Sequence, residues 1–307
     1  MRGTLTVVVP ADFCEMSLIQ FPENFHSLRD QTVVITGGAS GIGEAFVRLA
    51  CENGAHVVFG DLQDELGGKV ALETGATFVK TDVSKYKELL RLFDEAYKKH
   101  GAVDHAIANA GIYEPKGLFD PSTDLQSLDQ EPPTSIVDVN LRGVLFFAYI
   151  AAAYLRQGDS AHRNKSLTLV SSTAGILCPA ETPFYNTTKS GVLGLSRSLA
   201  GSLATTHGIR VNGMCPSVTA TPLSALHVLP VFESLQLPVN SSQDVAKVLA
   251  GLCIGEEWNG KILYVEGGKA WDIEQGLTRT RPEWLGASVL KTLDKITEYR
   301  AQARATK

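Results

Sequence analysis

The feature that most limits what this chain can fold into is a series of seven short β-branched runs without polar alternation. QTVVITG (31–37), AHVVFGD (55–61), TFVKTD (77–82), HAIANAG (105–111), SLTLVSS (166–172), IRVNGMCP (209–216) and KILYVEGG (261–268) are apolar at consecutive positions. Consecutive strand residues point to opposite faces, so such runs are dry on both sides, the habit of a parallel sheet covered by helices. The segments between them, such as IGEAFVRLACENG and YKELLRLFDEAYKKHG, carry apolar residues at helical spacing and close on glycine. Strand, helix, strand units with right-handed crossovers predict an α/β fold: a doubly wound parallel sheet of about seven strands flanked by helices. No Pro/Ser linker or composition break interrupts the span, and 307 residues can bury a sizeable core, so a single domain over 29–270 is expected. Residues 1–28 read as a loosely attached N-terminal extension and 271–307 as a C-terminal tail belonging to a substrate pocket or an interface.

Composition narrows the classes further. A net charge of -5 spread along the chain gives no footprint for nucleic acid, and YKKH (97–100) reads as a solvated helix end. Cys14, Cys51, Cys178, Cys215 and Cys253 are odd in number and lack metal-ligand spacing, which points to reduced thiols and no metal. The N-terminal TLTVVVP is followed at once by Pro10, Asp12 and Glu15, too short for a signal peptide. The longest apolar run, 144–155, falls short of the roughly 20 residues that span a bilayer. A cytoplasmic protein without a membrane partner is expected.

The first run passes into TGGASGIG, which places Gly37, Ser40, Gly41, Ile42 and Gly43 in a turn that opens a helix. Glycine lets the backbone approach a pyrophosphate, and the helix N-terminus offers free N–H groups and a favourable dipole. The spacing is GxxxGxG, a departure from the GxGxxG fingerprint. The second run ends at Asp61, where a carboxylate meets the adenosine ribose and repels a 2′-phosphate; Leu62 follows, and no Lys or Arg stands in the turn. NAD is therefore expected over NADP, the other reading of Asp61 being a helix N-cap. Asp82 and Val83 close the third run as a polar and apolar pair suited to adenine, although Asp82 serves equally as a cap. Asn109, Ala110 and Gly111 end the fourth and would form the floor under the cofactor.

Thirteen positions beyond Ser172 stands Tyr185, with Lys189 four further on. On a helix these two share a face, so an ammonium can stabilise the phenolate and bring the phenol from near ~10 toward the range useful for proton transfer. The Ser172 hydroxyl can hold a substrate oxygen as its charge changes. Taken together, TGxxxGxG, NAG, a downstream Asn, a Ser and YxxxK in this order resemble the short-chain dehydrogenase/reductase family over roughly residues 28–270. The resemblance implies a tetrad: Tyr185 as acid/base, Ser172 orienting the substrate oxygen, Lys189 binding the nicotinamide ribose and tuning Tyr185, and Asn140 holding a relay water. It also implies that the segment after the sixth strand, here PSVTAT (Pro216 to Thr221), holds the nicotinamide carboxamide, with Thr221 a better candidate than Thr219. Ser217 replaces a family glycine, a penalty if positive φ is needed there.

PLSALHVLPVFESLQLP (222–238) resembles the family's substrate lid, and its apolar content implies a hydrophobic small-molecule substrate; a dimer contact or core helix is the other reading. Within it His227 reads as a packing or solvated residue. Cys178, Pro179, Ala180 and Phe184 are expected to wall the pocket. The tail GGKAWDIEQGL followed by RPEWLG resembles dehydrogenases of fungal secondary metabolism acting on terpenoid or polyketide hydroxyls, with Trp271, Ile273 and Trp284 folding toward the pocket or a neighbouring subunit. An NAD-linked oxidoreductase is thus expected, set against an epimerase or dehydratase that recycles the cofactor and a non-enzymatic NAD-binding protein. The resemblance further implies a homodimer or homotetramer built on the helices around 134–157 and 183–204.

Overall fold

Each apolar run becomes a strand because both of its faces are covered. In the computed structural model, which describes residues 18–114, 119, 124–157 and 164–305, the strands are β1 Thr32–Thr36, β2 His56–Asp61, β3 Thr77–Lys80, β4 His105–Ala108, β5 Lys165–Val170, β6 Ile209–Pro216, β7 Ile262–Glu266 and β8 Lys269–Asp272. The helices are α1 Gly41–Glu52, α2 Asp64–Thr74, α3 Tyr86–His100, α4 Ser135–Val137, α5 Gly143–Tyr154, α6 Ala174–Leu177, α7 Pro183–His207, α8 Pro222–Ala225, α9 Leu229–Ser234, α10 Ser242–Ile254 and α11 Ile273–Ala305. Cys14, Pro10, Asp12, Glu15 and the TLTVVVP stretch lie outside the described residues.

The sheet runs in the order β3-β2-β1-β4-β5-β6-β7-β8, and its first seven strands pair in parallel. In β1, Val33 and Ile35 enter the core beneath α1 and α10 with Phe46 and Leu249. Val34 enters the opposite core beneath α3, α5 and α7 with Leu89, Phe93, Phe147 and Val192. The strand order reverses between β1 and β4, and in open α/β sheets a ligand crevice forms beyond the strand C-termini at that point.

Three expectations need correction. An eighth strand, β8, pairs antiparallel with β7 across Gly267 (φ +54) and Gly268 (φ +75), the two-residue turn with both φ positive that hairpins favour. The boundary expected at 270 therefore falls inside a strand. Residues 18–28 are held: Leu18 bridges to Trp271, the Ile19 N–H donates to the Ala270 carbonyl at 2.8 Å, Phe21 meets Trp258 edge-on, and Phe25 and Leu28 are buried. Their apolar side chains cover α10, which the sheet alone leaves open. Finally, α4 and α5 join through a π-helical turn, Asp138–Arg142, into one helical stretch Ser135–Tyr154 of 20 residues that by length and composition alone could cross a membrane. The inner face of α5, Phe147, Ile150 and Ala151, is buried, and Phe147 lies against Phe93 of α3.

Candidate active site

At the end of β1 the backbone takes the left-handed conformation at Gly37 (φ +69) and again at Gly41 (φ +55), where a side chain would be strained. A Cβ on Gly43 would lie 1.9 Å from the Gly37 carbonyl oxygen, so the loop closes only around a hydrogen. Asn109 fastens the loop from β4. Its Nδ2 donates to the Thr36 and Gly37 carbonyls at 3.0 and 3.2 Å, while the Asn109 and Ala110 N–H groups both reach the Thr36 hydroxyl at 3.2 Å. Ser40 is the N-cap of α1 but makes no side-chain cap, and with Gly41 and Ile42 it lines the cleft, so the first-turn N–H groups are left for a ligand.

Asp61 ends β2 and is buried. Its Oδ2 accepts from the Ala39 N–H and its Oδ1 from the Gln63 N–H, each at 3.0 Å. It is therefore both a strut of the Gly-rich loop and a wall of the cleft; the N-cap of α2 is Gln63. Leu62 is 58% exposed at the rim. Asp82 lines the cleft with Val83, and its Oδ1 accepts from the Ser84 N–H and hydroxyl at 2.9 and 2.7 Å; the N-cap of α3 is Lys85, so Asp82 does not cap that helix.

The other half of the cleft forms around α7. Tyr185 and Lys189 lie one turn apart on it, and the Lys189 Nζ sits 5.6 Å from the centre of the Tyr185 ring while donating to the Val170 carbonyl at 3.2 Å. Ser172, following β5, lines the cleft beside Tyr185, and its Oγ accepts from the Ala174 N–H at 3.1 Å. The sequence predicted an acidified phenol, and burial in the folded cleft does the reverse. Burial pushes Tyr185 up to about 12, opposed by the Ser172 hydroxyl, and the same loss of water brings Lys189 down to about 8. The ammonium over the ring face does not outweigh desolvation.

Asn140 lies in the π-helical turn and is fully buried. Its Oδ1 accepts from the Ile112 N–H and its Nδ2 donates to the Ile112 carbonyl, both at 2.8 Å. Both ends of the amide thus clamp the loop after β4. Gly111 forms the floor: a Cβ there would lie 3.3 Å from Asn140 Oδ1 and 3.5 Å from Lys189 Nζ.

The PSVTAT segment is satisfied internally. Pro216, Thr219 and Thr221 line the cleft, but the Thr219 hydroxyl donates to the Ser217 carbonyl at 3.0 Å, and the Thr221 hydroxyl caps α8 in a reciprocal box with Ser224. As an acceptor in that cap, the Thr221 hydroxyl keeps its place on the wall of the cleft. Ser217 is not among the positive-φ residues, so its side chain carries no backbone penalty.

Of the expected wall, Pro179 lines the cleft, while Phe184 packs edge-on against Phe119; Cys178 and Ala180 are exposed and do not line it. Trp271 rests on Tyr264, Ile273 packs with Leu193, Cys215 and Ile262, and Trp284 is 62% exposed; none of these three tail residues lines the cleft. The substrate end is formed instead by Ile112, Tyr113, Leu177, Val228 and Phe232.

Sequence reasoning missed Tyr113 and Glu114. The Tyr113 ring stacks on His227 at 4.3 Å and packs on the Tyr185 ring at 5.1 Å, and the buried Glu114 carboxylate accepts from the Tyr185 N–H at 2.7 Å. The available signal was their position, directly behind Asn109–Gly111 and Ile112. His227 is a packing residue, as expected.

The cradle that no Cβ can enter, the free N–H groups of α1 and the buried acid at the end of β2 fit a dinucleotide. Residues Ser40 to Gly43 would hold its pyrophosphate, Asp61 a ribose, Asp82 and Val83 the adenine, and Asn109 to Gly111 with Lys189 the nicotinamide half.

The chain is similar to known proteins in sequence and fold. The sequence profile of the short chain dehydrogenase family matches residues 31–228. Over 282 residues the chain is 30% identical to the short-chain dehydrogenase/reductase prx4 of Penicillium rubens, spanning 86% of this chain and 83% of that one. Over 247 residues it is 34% identical to a mitochondrial borneol dehydrogenase of Lavandula x intermedia, spanning 78% and 91%. It is also similar to the crystal structure of 3-ketoacyl-(acyl-carrier-protein) reductase from Brucella melitensis complexed with NADH, with a TM-score of 0.70 and 28% identity over 78% of this chain and 98% of that one.

Proposed function

The chain belongs to the short-chain dehydrogenase family, and from that premise we propose that it moves a hydride between NAD and a hydrophobic secondary alcohol or its ketone. The observation that carries this reading is one cleft of about 660 Å³ in which the Gly-rich loop and Asp61 face, at the other end, the Tyr185 phenol, Ser172 and an apolar wall. A bound nicotinamide supplies the acceptor or donor of the hydride. The Ser172 hydroxyl holds the substrate oxygen, Tyr185 takes or returns the hydroxyl proton, and Lys189 supplies positive charge beside the phenol. The lid from α8 to α9 brings Val228 and Phe232 over the cleft and excludes water.

NAD is favoured over NADP because Asp61 repels a 2′-phosphate and Lys189, at the far end, is the only basic side chain lining the described cleft. Among the described residues the substrate end is lined by no charged side chain apart from Lys189, which fits a neutral, free molecule rather than one tethered through phosphates. A terpenoid or polyketide skeleton bearing a hydroxyl matches that chemistry and is in keeping with the relative named a borneol dehydrogenase, while a place in fungal secondary metabolism accords with the Penicillium relative prx4. The test is a panel of hydrophobic secondary alcohols and ketones with NAD and NADP, wild type beside Tyr185→Phe. NAD-linked turnover that falls at least ~100-fold in the variant is expected; retained turnover removes Tyr185 from its role.

Assembly as a homodimer or homotetramer through α5 and α7 is part of the same reading. It is supported by Leu145 and Tyr149, which stand 44% and 74% exposed on α5, and the mass in solution tests it. The free thiols Cys51, Cys178, Cys215 and Cys253 fit a reducing compartment, in this reading the cytoplasm.

A further inference from the structure

The long helix that carries the proton-transferring residue lacks a backbone cap of its own. α7 begins at Pro183, and its N-cap residue, Thr182, makes no side-chain bond to the first-turn N–H groups; its hydroxyl donates instead to Asn186 Oδ1 at 3.0 Å. The first four N–H groups of a helix have no partner within it. One of them belongs to Tyr185, and its acceptor is Glu114 Oε2 at 2.7 Å, from a residue 71 positions earlier in the chain. Glu114 is 4% exposed. A carboxylate taken out of water is costly unless it is bonded, and a helix N-terminus is where such a charge is best tolerated.

Glu114 sits on a loop that is itself fixed. Ile112 is held at both its N–H and its carbonyl by Asn140, and Tyr113 lies against the Tyr185 ring on one side and His227 on the other. The distance from the Asn140 amide to the backbone of Tyr185 is therefore covered by three consecutive residues, each with a specific contact. A shift of Glu114 would move the Tyr185 backbone and with it the phenol, while the Gly-rich loop, held by Asn109 and Asp61, would stay in place.

We propose that Glu114 is a positioning residue for proton transfer, setting the Tyr185 phenol relative to Ser172 and the substrate oxygen by capping the helix at Tyr185 itself. This rests on the reading of Tyr185 as the acid/base, so Tyr185→Phe runs as a parallel arm. The experiment compares kcat, KM, NAD affinity by fluorescence titration and Tm in wild type, Glu114→Ala and Glu114→Gln. Glutamine keeps an acceptor oxygen and drops the charge. Glu114→Ala is expected to lose about 10- to 100-fold in kcat, the scale of a small misplacement of a reacting group, with KM and NAD affinity within about threefold. Glu114→Gln is expected to recover most of kcat. The proposal is overturned if Glu114→Ala keeps kcat within about twofold, if kcat, KM and NAD affinity fall together with the folded fraction, or if Glu114→Gln is as impaired as alanine. Should Glu114→Ala fail to fold, Glu114→Asp, which draws the acceptor back by one methylene, is judged by the same split of kcat against KM. Full activity in Tyr185→Phe defeats the underlying reading; loss there with an unaffected Glu114→Ala defeats this inference alone.

Discussion

The Lys189 ammonium nitrogen stands over the face of the Tyr185 ring, 5.6 Å from its centre. Placed so, it steadies the ring without offsetting the loss of water that pushes the phenol up to about 12. At pH 7 the group is a neutral acid, the form in which it gives a proton to a ketone; alcohol oxidation must first ionise it. The rate of oxidation is therefore expected to climb with pH, by up to about tenfold per unit between pH 7 and 10, while reduction stays level or falls. Initial rates in both directions at saturating cofactor check this, and a level oxidation profile counts against Tyr185 as the base.

Lys189 supplies a second pH dependence, this time in stability. Burial lowers it from 10.5 to about 8. Between those values the unfolded chain holds more protons than the folded one, so stability rises as pH climbs from about 8 to 10.5, and below 8 the full burial cost weighs on the native state. Lys189→Met is expected to melt above wild type at pH 7, with the gap narrowing toward pH 10, and to lose about 10²- to 10⁴-fold in turnover. Melting curves across pH 7 to 10 decide; a gap that does not change with pH shows that the lysine is not neutralised by burial.

Much of this was legible beforehand because the physics was local. The runs around Val33–Ile35 and Val57–Phe59 are apolar at every position, which only a strand covered on both faces requires, and they became β1 and β2. Gly37, Gly41 and Gly43 announced a turn too tight for side chains. Other features escaped because they depend on tertiary contacts. Glu114 becomes a cap only once β4 and α7 lie side by side, and the level of the Tyr185 phenol depends on how much water the folded cleft removes. β8 was missed for a different reason. KAWD has too little apolar character to read as a strand alone, and only the positive φ at Gly267 and Gly268 shows the turn that brings it back on β7.

Two glycine substitutions should separate function from stability. Gly43→Ala forces a Cβ to within 1.9 Å of the Gly37 carbonyl, so the loop must open. A cost of about 1–3 kcal/mol and a large loss of NAD affinity are expected. Gly68, inside α2, has nothing within 4 Å of where an added methyl would sit, and alanine there should stabilise by about 0.5–1 kcal/mol with activity unchanged. Urea midpoints and cofactor titration on both variants test the contrast.

Asp61 holds two roles that one substitution can separate. Its Oδ2 and Oδ1 accept from the Ala39 and Gln63 N–H groups, so any replacement disturbs the Gly-rich loop to some degree. Asp61→Asn keeps the volume and one acceptor but leaves one of those N–H groups facing an amide nitrogen, at a cost of about 1–3 kcal/mol. That cost falls equally on NAD and NADP, because both use the same loop. The lost charge does not: a carboxylate attracts ribose hydroxyls and repels a 2′-phosphate, whereas an amide does neither strongly. A charged hydrogen bond is worth about 1.5–3 kcal/mol, so kcat/KM with NAD should fall about 10- to 100-fold while the value with NADP holds or rises. The ratio of the two constants is the proper readout, since it is insensitive to the folded fraction. A ratio that stays at the wild-type value while Tm drops would leave Asp61 as a strut of the loop and nothing more.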